Sequence, residues 1–235
     1  MSDFIWVYVI LMVGACLQSV IGFGLGLLCA PVLYWLKPEL VPGPMILNAL
    51  LITALLSFRH RGQIDVRSTS ISIAGGTLGV LLAGSALLVV SPEYYQLLLG
   101  LTIMAAVMLS VIGVTPRLTA LNNLIASALS GFMGTTTSAG GAPMGLLYQR
   151  QDQQKIKANL SAFFVYINLF GITVLWATGR VDSSDFTLFL QCIPAILMGW
   201  GMSHFVNRSL NNQYVRYLIL IVAMLSGLAL VVLHG

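Results

Sequence analysis

The chain has 235 residues, 58% hydrophobic and only 8% charged, with a formal net charge of +4. A typical soluble domain carries about 25% charged residues, so this composition excludes a soluble fold with a conventional charged surface. The excess of basic residues lies in short connectors between apolar runs, which favours membrane orientation over nucleic-acid binding.

Apolar runs follow one another near 4–36, 40–58, 69–91, 95–115, 118–148, 158–178, 186–207 and 214–234. Most match the roughly 20 apolar residues that a helix needs to cross a bilayer. The longest polar stretch, 149–157, is a connector, so a single membrane domain is expected. The first run follows Met1-Ser2-Asp3 with no basic leader and is read as a membrane segment, not a cleaved signal. Cys16, Cys29 and Cys192 lie within apolar runs, lack disulfide or metal spacing, and read as packing residues.

The first and fifth runs are peculiar. A continuous helix over 4–36 would be about 50 Å long at 1.5 Å per residue, too long for one crossing. Glycine and then proline interrupt both runs, and both lower helix stability, by roughly 1 and 3 kcal/mol. The spacing is shared: Gly22 to Pro31 and Gly134 to Pro143 are each Gly, eight residues, then Pro preceded by Ala. Further on, Gly62-Gln63-Ile64-Asp65 is echoed by Gly179-Arg180-Val181-Asp182. A four-element unit repeated over 1–116 and 117–235 accounts for both matches. Irregular backbone at membrane depth is tolerated only against protein or a water-filled cavity, so the two breaks are expected inside the molecule.

Charge decides whether the broken elements cross or return. If all eight elements crossed, the 11 Lys and Arg would divide five against six between the faces. If the first and fifth are re-entrant hairpins, Arg59, Arg61, Arg67, Arg117, Arg150, Lys155, Lys157, Arg208 and Arg216 share one face, leaving Lys37 and Arg180 on the other. That bias obeys the positive-inside rule. The expected fold is thus an all-α integral membrane protein of about eight segments in two inverted four-element repeats, with both termini outside.

Chemistry is expected at the breaks. Thr135, Thr136, Thr137 and Ser138 stand beside Gly140 and Gly141, a composition that offers hydroxyls and bare backbone N–H groups to an oxyanion. A half-helix starting near Ala142 or Pro143 would aim its positive end and unpaired N–H groups into that loop. The partner loop Gly22 to Gly26, which holds Phe23 and Gly24 and has Gln18 and Ser19 just before it, would approach from the opposite face. Asn48, Asn159 and Asn168 are the polar residues of the second elements, facing a cavity or a neighbouring helix.

All seven carboxylates lie at or near segment ends, which argues against an intramembrane proton relay. Asp65 and Asp182 read as caps of the helices that follow. His60 reads as interfacial and His204 as packed or hydrogen-bonded. There is no metal-ligand spacing, no phosphate-binding lysine loop and no implied cofactor. Ser138 with His204 lacks the third partner a nucleophilic site needs, so no catalytic residue is expected.

The Gly22-Phe23-Gly24 segment with Pro31 after it, together with Gly140-Gly141-Ala142-Pro143, resembles the sulfite exporter TauE/SafE family of membrane permeases. The resemblance in layout spans nearly the whole chain. It implies export of sulfite, or of organosulfonates such as sulfoacetate, from the bacterial cytoplasm across the inner membrane. Gly22, Gly24, Gly140, Gly141 and Pro143 match the family's motif positions, whereas Ser138-Ala139 departs from its glycine-richer second motif. The expected partners are a small anion and the lipid bilayer, with no nucleic acid, and pairing as a homodimer is left open.

Overall fold

The structure, a computed structural model, describes residues 2–111, 116–206 and 212–233. Arg208 and Gly235 lie outside them, as does the side chain of Arg216. The described residues form ten α-helices and no strand: α1 (Ser2–Ile21), α2 (Leu25–Leu36), α3 (Gly43–His60), α4 (Val66–Val89), α5 (Pro92–Val111), α6 (Ala120–Thr137), α7 (Gly141–Tyr148), α8 (Gln153–Ala177), α9 (Ser183–Val206) and α10 (Asn212–Val232). Six of them, α1, α3, α4, α5, α8 and α9, are long and apolar enough to cross a membrane. Large apolar side chains such as Ile5, Leu82, Val89 and Phe205 point outward, as a protein bathed in hydrocarbon requires.

Polar residues set the helix starts. The Asp65 carboxylate accepts from the Ser68 N–H at 3.1 Å, Thr119 accepts from Asn122 at 3.2 Å, and Asp152 accepts from Gln154 at 2.9 Å. Ahead of α9, Asp182 accepts from both the N–H and the hydroxyl of Ser184, which holds its carboxyl below the usual range. Both expected aspartate caps are therefore present. All three cysteines are free and buried.

Both broken elements turn back on themselves. The Cys29 thiol of α2 reaches the Ile10 carbonyl of α1, and the Lys37 ammonium stands over the Phe4 ring at 4.8 Å. The chain therefore returns to the end of the bundle where α1 began. In the second case Ser68 of α4 joins Asn123, near the start of α6, to the hydroxyl of Tyr148, the last residue of α7. The hairpins open toward opposite ends. Gly43 at the start of α3 packs on Val181, just ahead of α9, at the end shared with Phe4 and Lys37. The Asp65 N–H meets Asn159 near the start of α8 at the other end. Arg59, Arg61, Arg67 and Lys157 gather at that second end, while Arg180, at the first, donates to the carbonyls of Leu87 and Val90 and closes α4.

The packing repeats when each element is exchanged for its counterpart. α4 lies on α6 as α9 lies on α1, α8 on α4 as α3 on α9, and α10 on α2 as α5 on α7, while α3 with α8 and α5 with α10 pair across the middle. The α4–α6 seam is made by small residues, as membrane helix pairs are. Gly75 faces Ser127 and the Leu124 carbonyl, Gly131 faces the Gly76 carbonyl, and Gly79 faces the Ala128 carbonyl, while Gly76 itself faces Phe163 and Ile167 of α8. A Cβ on Gly79 would stand 2.8 Å from the Phe132 nitrogen, with backbone that cannot yield. Gly79→Val should therefore lower stability by at least the roughly 1–3 kcal/mol of an overpacked core, read as a fall in Tm in detergent. Gly62→Ala, whose Cβ would meet open space, should melt with the parent.

Candidate functional site at the crossed hairpin tips

The first break spans Gly22 to Gly24. Gly22 at φ +99° and Gly24 at φ +120° take left-handed backbone that only glycine adopts without cost. The Gly22 N–H donates to Gln18 O at 2.7 Å and ends α1, while Gln18 Oε1 accepts the first N–H of α2, that of Leu25, at 2.8 Å. The second break is Ser138 to Gly140. Ser138 sits at φ +62°, its N–H donating to Gly134 O at 2.8 Å and its hydroxyl to Pro42 O at 3.2 Å. The Ser130 hydroxyl then donates to Gly140 O at 2.5 Å, just ahead of α7.

The two tips pass side by side. The first reaches toward the basic end, where a Cβ on Gly22 would lie 3.6 Å from Lys157 Cα; the second lies against Pro42, at the start of α3. Gly26 rests on the Ser138 carbonyl so closely that any side chain there would overlap backbone. Gly141 and Gly145 face the Phe23 ring. Between the tips is a cavity of about 30 Å³, bordered by Gln18, Phe23, Gly24, Ser138, Gly140 and Gly141, and by Ser130 and Asn168 from the supporting helices. No charged side chain borders it among the described residues. Its polarity comes from two amides' worth of side chain, two hydroxyls and the unpaired N–H groups that open α2 and α7.

The remaining expected residues fall elsewhere. Thr135, Thr136 and Thr137 belong to the last turn of α6, so the loop expected over Gly134 to Pro143 contracts to three residues. The Thr136 hydroxyl donates to Phe132 O at 2.8 Å and that of Thr137 to Met133 O at 2.7 Å, which satisfies them within their own helix. Thr135 packs on Gly171 of α8. Pro143 stands in the first turn of α7, where its missing N–H costs nothing. Pro31 lies inside α2, so the helix runs through it. Asn159 is at the basic end, accepting from the Asp65 N–H at 2.7 Å. Asn48 is buried in α3 at 1% exposure and neither of its amide atoms has a partner among the described residues. Ser19 donates to Ala15 O and lines a different cavity. Sequence reasoning missed Ser130, which stands one helical turn before Gly134, on the same face.

The family model described as sulfite exporter TauE/SafE matches residues 7–230, through both hairpins and their supporting helices. The chain belongs to that family. No curated protein and no solved structure matches it at a significant level. Membership makes this a multi-pass membrane protein of a sulfite exporter family, and the two hairpins lie within the region that carries the match.

The left-handed Ser138 gives a stability test. Left-handed backbone costs a residue with a Cβ roughly 1–2 kcal/mol, more for a β-branched one. Ser138→Gly should hold or raise the Tm, and Ser138→Val should lower stability by at least about 1–2 kcal/mol. Equal melting of the two variants would contradict the assigned backbone.

Proposed function

We propose that this chain is a secondary carrier that exports a small sulfur oxyanion, sulfite or an organosulfonate such as sulfoacetate, across the bacterial inner membrane by alternating access. The observation that carries this reading is the crossing of two hairpin tips from opposite ends around a small cavity that no charged side chain borders among the described residues, in a member of a sulfite exporter family. Exchange of packing partners between 1–116 and 117–235 supports an inverted repeat. The basic end is assigned to the cytoplasm, which puts both termini in the periplasm.

The anion would be held by neutral donors: the N–H groups of Gly26, Gly140 and Gly141 and the Asn168 amide. Taking an ion out of water costs several kcal/mol even after relaxation, and each hydrogen bond to a charged group returns about 1.5–3 kcal/mol. Three or four such bonds, with two helix N-termini adding roughly 0.3–2 kcal/mol each, offset that cost without binding so tightly that release stops. No carboxylate borders the cavity among the described residues, so the substrate gradient, exchange or the membrane potential drives transport, and a pH gradient alone does little.

In proteoliposomes sulfite efflux should saturate with concentration. Gly141→Val, whose side chain would press on Phe23 at 3.1 Å, should abolish flux while the protein stays folded. Thr136→Ala and Thr137→Ala should each cost less than about 1.5 kcal/mol, the upper end for a hydrogen bond between neutral groups. Parent-like flux in Gly141→Val would move the site away from the tips. For topology, single cysteines at Ser2 and Gly235, in a background without Cys16, Cys29 and Cys192, should label from outside, and one at Gln151 should not. Termini on opposite faces would remove the inverted repeat.

A further inference from the structure

A second cavity lies beyond the first tip, at the basic end, and encloses about 80 Å³. It draws Arg59 and His60 from the end of α3, Lys157 from α8 and His204 from α9, with the Ser19 and Ser203 hydroxyls beside them. No carboxylate lines it among the described residues. Lys157 is only 7% exposed, and its ammonium has no hydrogen-bond partner among them. A buried cation without a counter-ion is unfavourable unless an anion joins it.

The arginine is held in place. His204 Nδ1 lies 3.1 Å from the Trp200 carbonyl and donates to it, leaving Nε2 as the acceptor for a guanidinium N–H of Arg59. His60 Nδ1 donates in the same way to Leu56 O at 2.9 Å. The fixed positive charge of the cavity therefore comes from Arg59 at its mouth and Lys157 at its floor. We propose that this cavity is an oxyanion antechamber, in which Lys157 and Arg59 bind a compact sulfur oxyanion, or the sulfonate head of a larger one, before it passes the first tip.

Its dimensions and position fit that role. The volume is that of two or three waters, enough for a compact oxyanion that displaces them. Gln18 borders the central cavity while the next residue, Ser19, borders this one. Lys157 stands beside the first tip, where a Cβ on Gly22 would lie 3.6 Å from its Cα. A cationic stop raises the local anion concentration, and the uncharged centre beyond it keeps onward release easy. The phosphate of a lipid headgroup has the same chemistry, but the buried floor at Lys157, Ser19 and Ser203 favours a free ion.

This inference rests on the anion-export reading, and its test separates the two. Full-length protein in phospholipid-free neutral detergent is titrated with sulfite by calorimetry, and sulfite efflux is measured in proteoliposomes. Lys157→Met and Arg59→Gln should weaken sulfite binding about tenfold or more and raise KM for efflux more than they lower kcat. Lys157→Arg should restore much of the loss, and Gly141→Val should still bind sulfite while carrying none across. Unchanged Tm and a monodisperse gel-filtration peak show that each variant is folded. Parent-like binding and KM in both Lys157→Met and Arg59→Gln, with normal parent transport, would overturn the antechamber and leave the export reading standing. Failure of the parent to bind or carry any sulfur oxyanion would remove the export reading itself. Displacement of sulfite by phosphatidylglycerol, one lipid per protein and lost in Lys157→Met, would reassign the cavity to a lipid headgroup.

Discussion

Hydrocarbon supplies no hydrogen bonds, so every backbone amide at membrane depth must find its partner inside the protein. Two interruptions of helix within the span are affordable here only because each is closed by its own neighbours. Gln18 takes the first N–H of α2, Gly134 takes that of Ser138, and Ser130 serves the carbonyl of Gly140. The Tyr95 hydroxyl donates to Thr136 O at 2.8 Å and satisfies a carbonyl near the end of α6. The helices around the tips exist in this arrangement to keep lipid away from these few residues.

The same constraint explains why small residues recur along the supporting seams. A hairpin inside a bundle needs space, and the helices that flank it must approach closely elsewhere. Gly75, Gly76, Gly79 and Gly131 allow this between α4 and α6, and Gly199 against Met12 and Ala15 allows it between α9 and α1. Van der Waals contact and backbone proximity hold such pairs, since no hydrophobic effect drives apolar helices together in lipid. Both seams end at a tip, so movement of α4 against α6, or of α9 against α1, moves a tip as well.

Charge is placed in tiers along the molecule. Arg59, Arg61 and Arg67 lie at one end, with Lys37 and Arg180 at the other; a buried Lys157 stands between the first of these ends and the first tip, and the space between the tips carries no charged side chain among the described residues. On the export reading proposed above, such a gradient would draw an anion inward and then leave it with donors that only hydrogen-bond. It also gives His204 a place as the acceptor that fixes Arg59.

The sequence by itself determined the class of the molecule, the two breaks and their return to the side of entry. These follow from hydropathy, from the helix cost of glycine and proline, and from the placement of basic residues, all of which are local or additive along the chain. Which polar groups would be free to meet a ligand was settled only by the tertiary structure. Thr135 to Thr137 look like loop donors in sequence, but α6 continues through them and its own carbonyls, four residues back, take the Thr136 and Thr137 hydroxyls. Lys157 looks like a connector cation, yet α8 begins at Gln153 and carries it one turn into the protein against Gly22. Ser130 gave no signal because its importance lies in contact with Gly140, across the break. Such contacts depend on where two distant segments cross, which no pattern along the chain encodes.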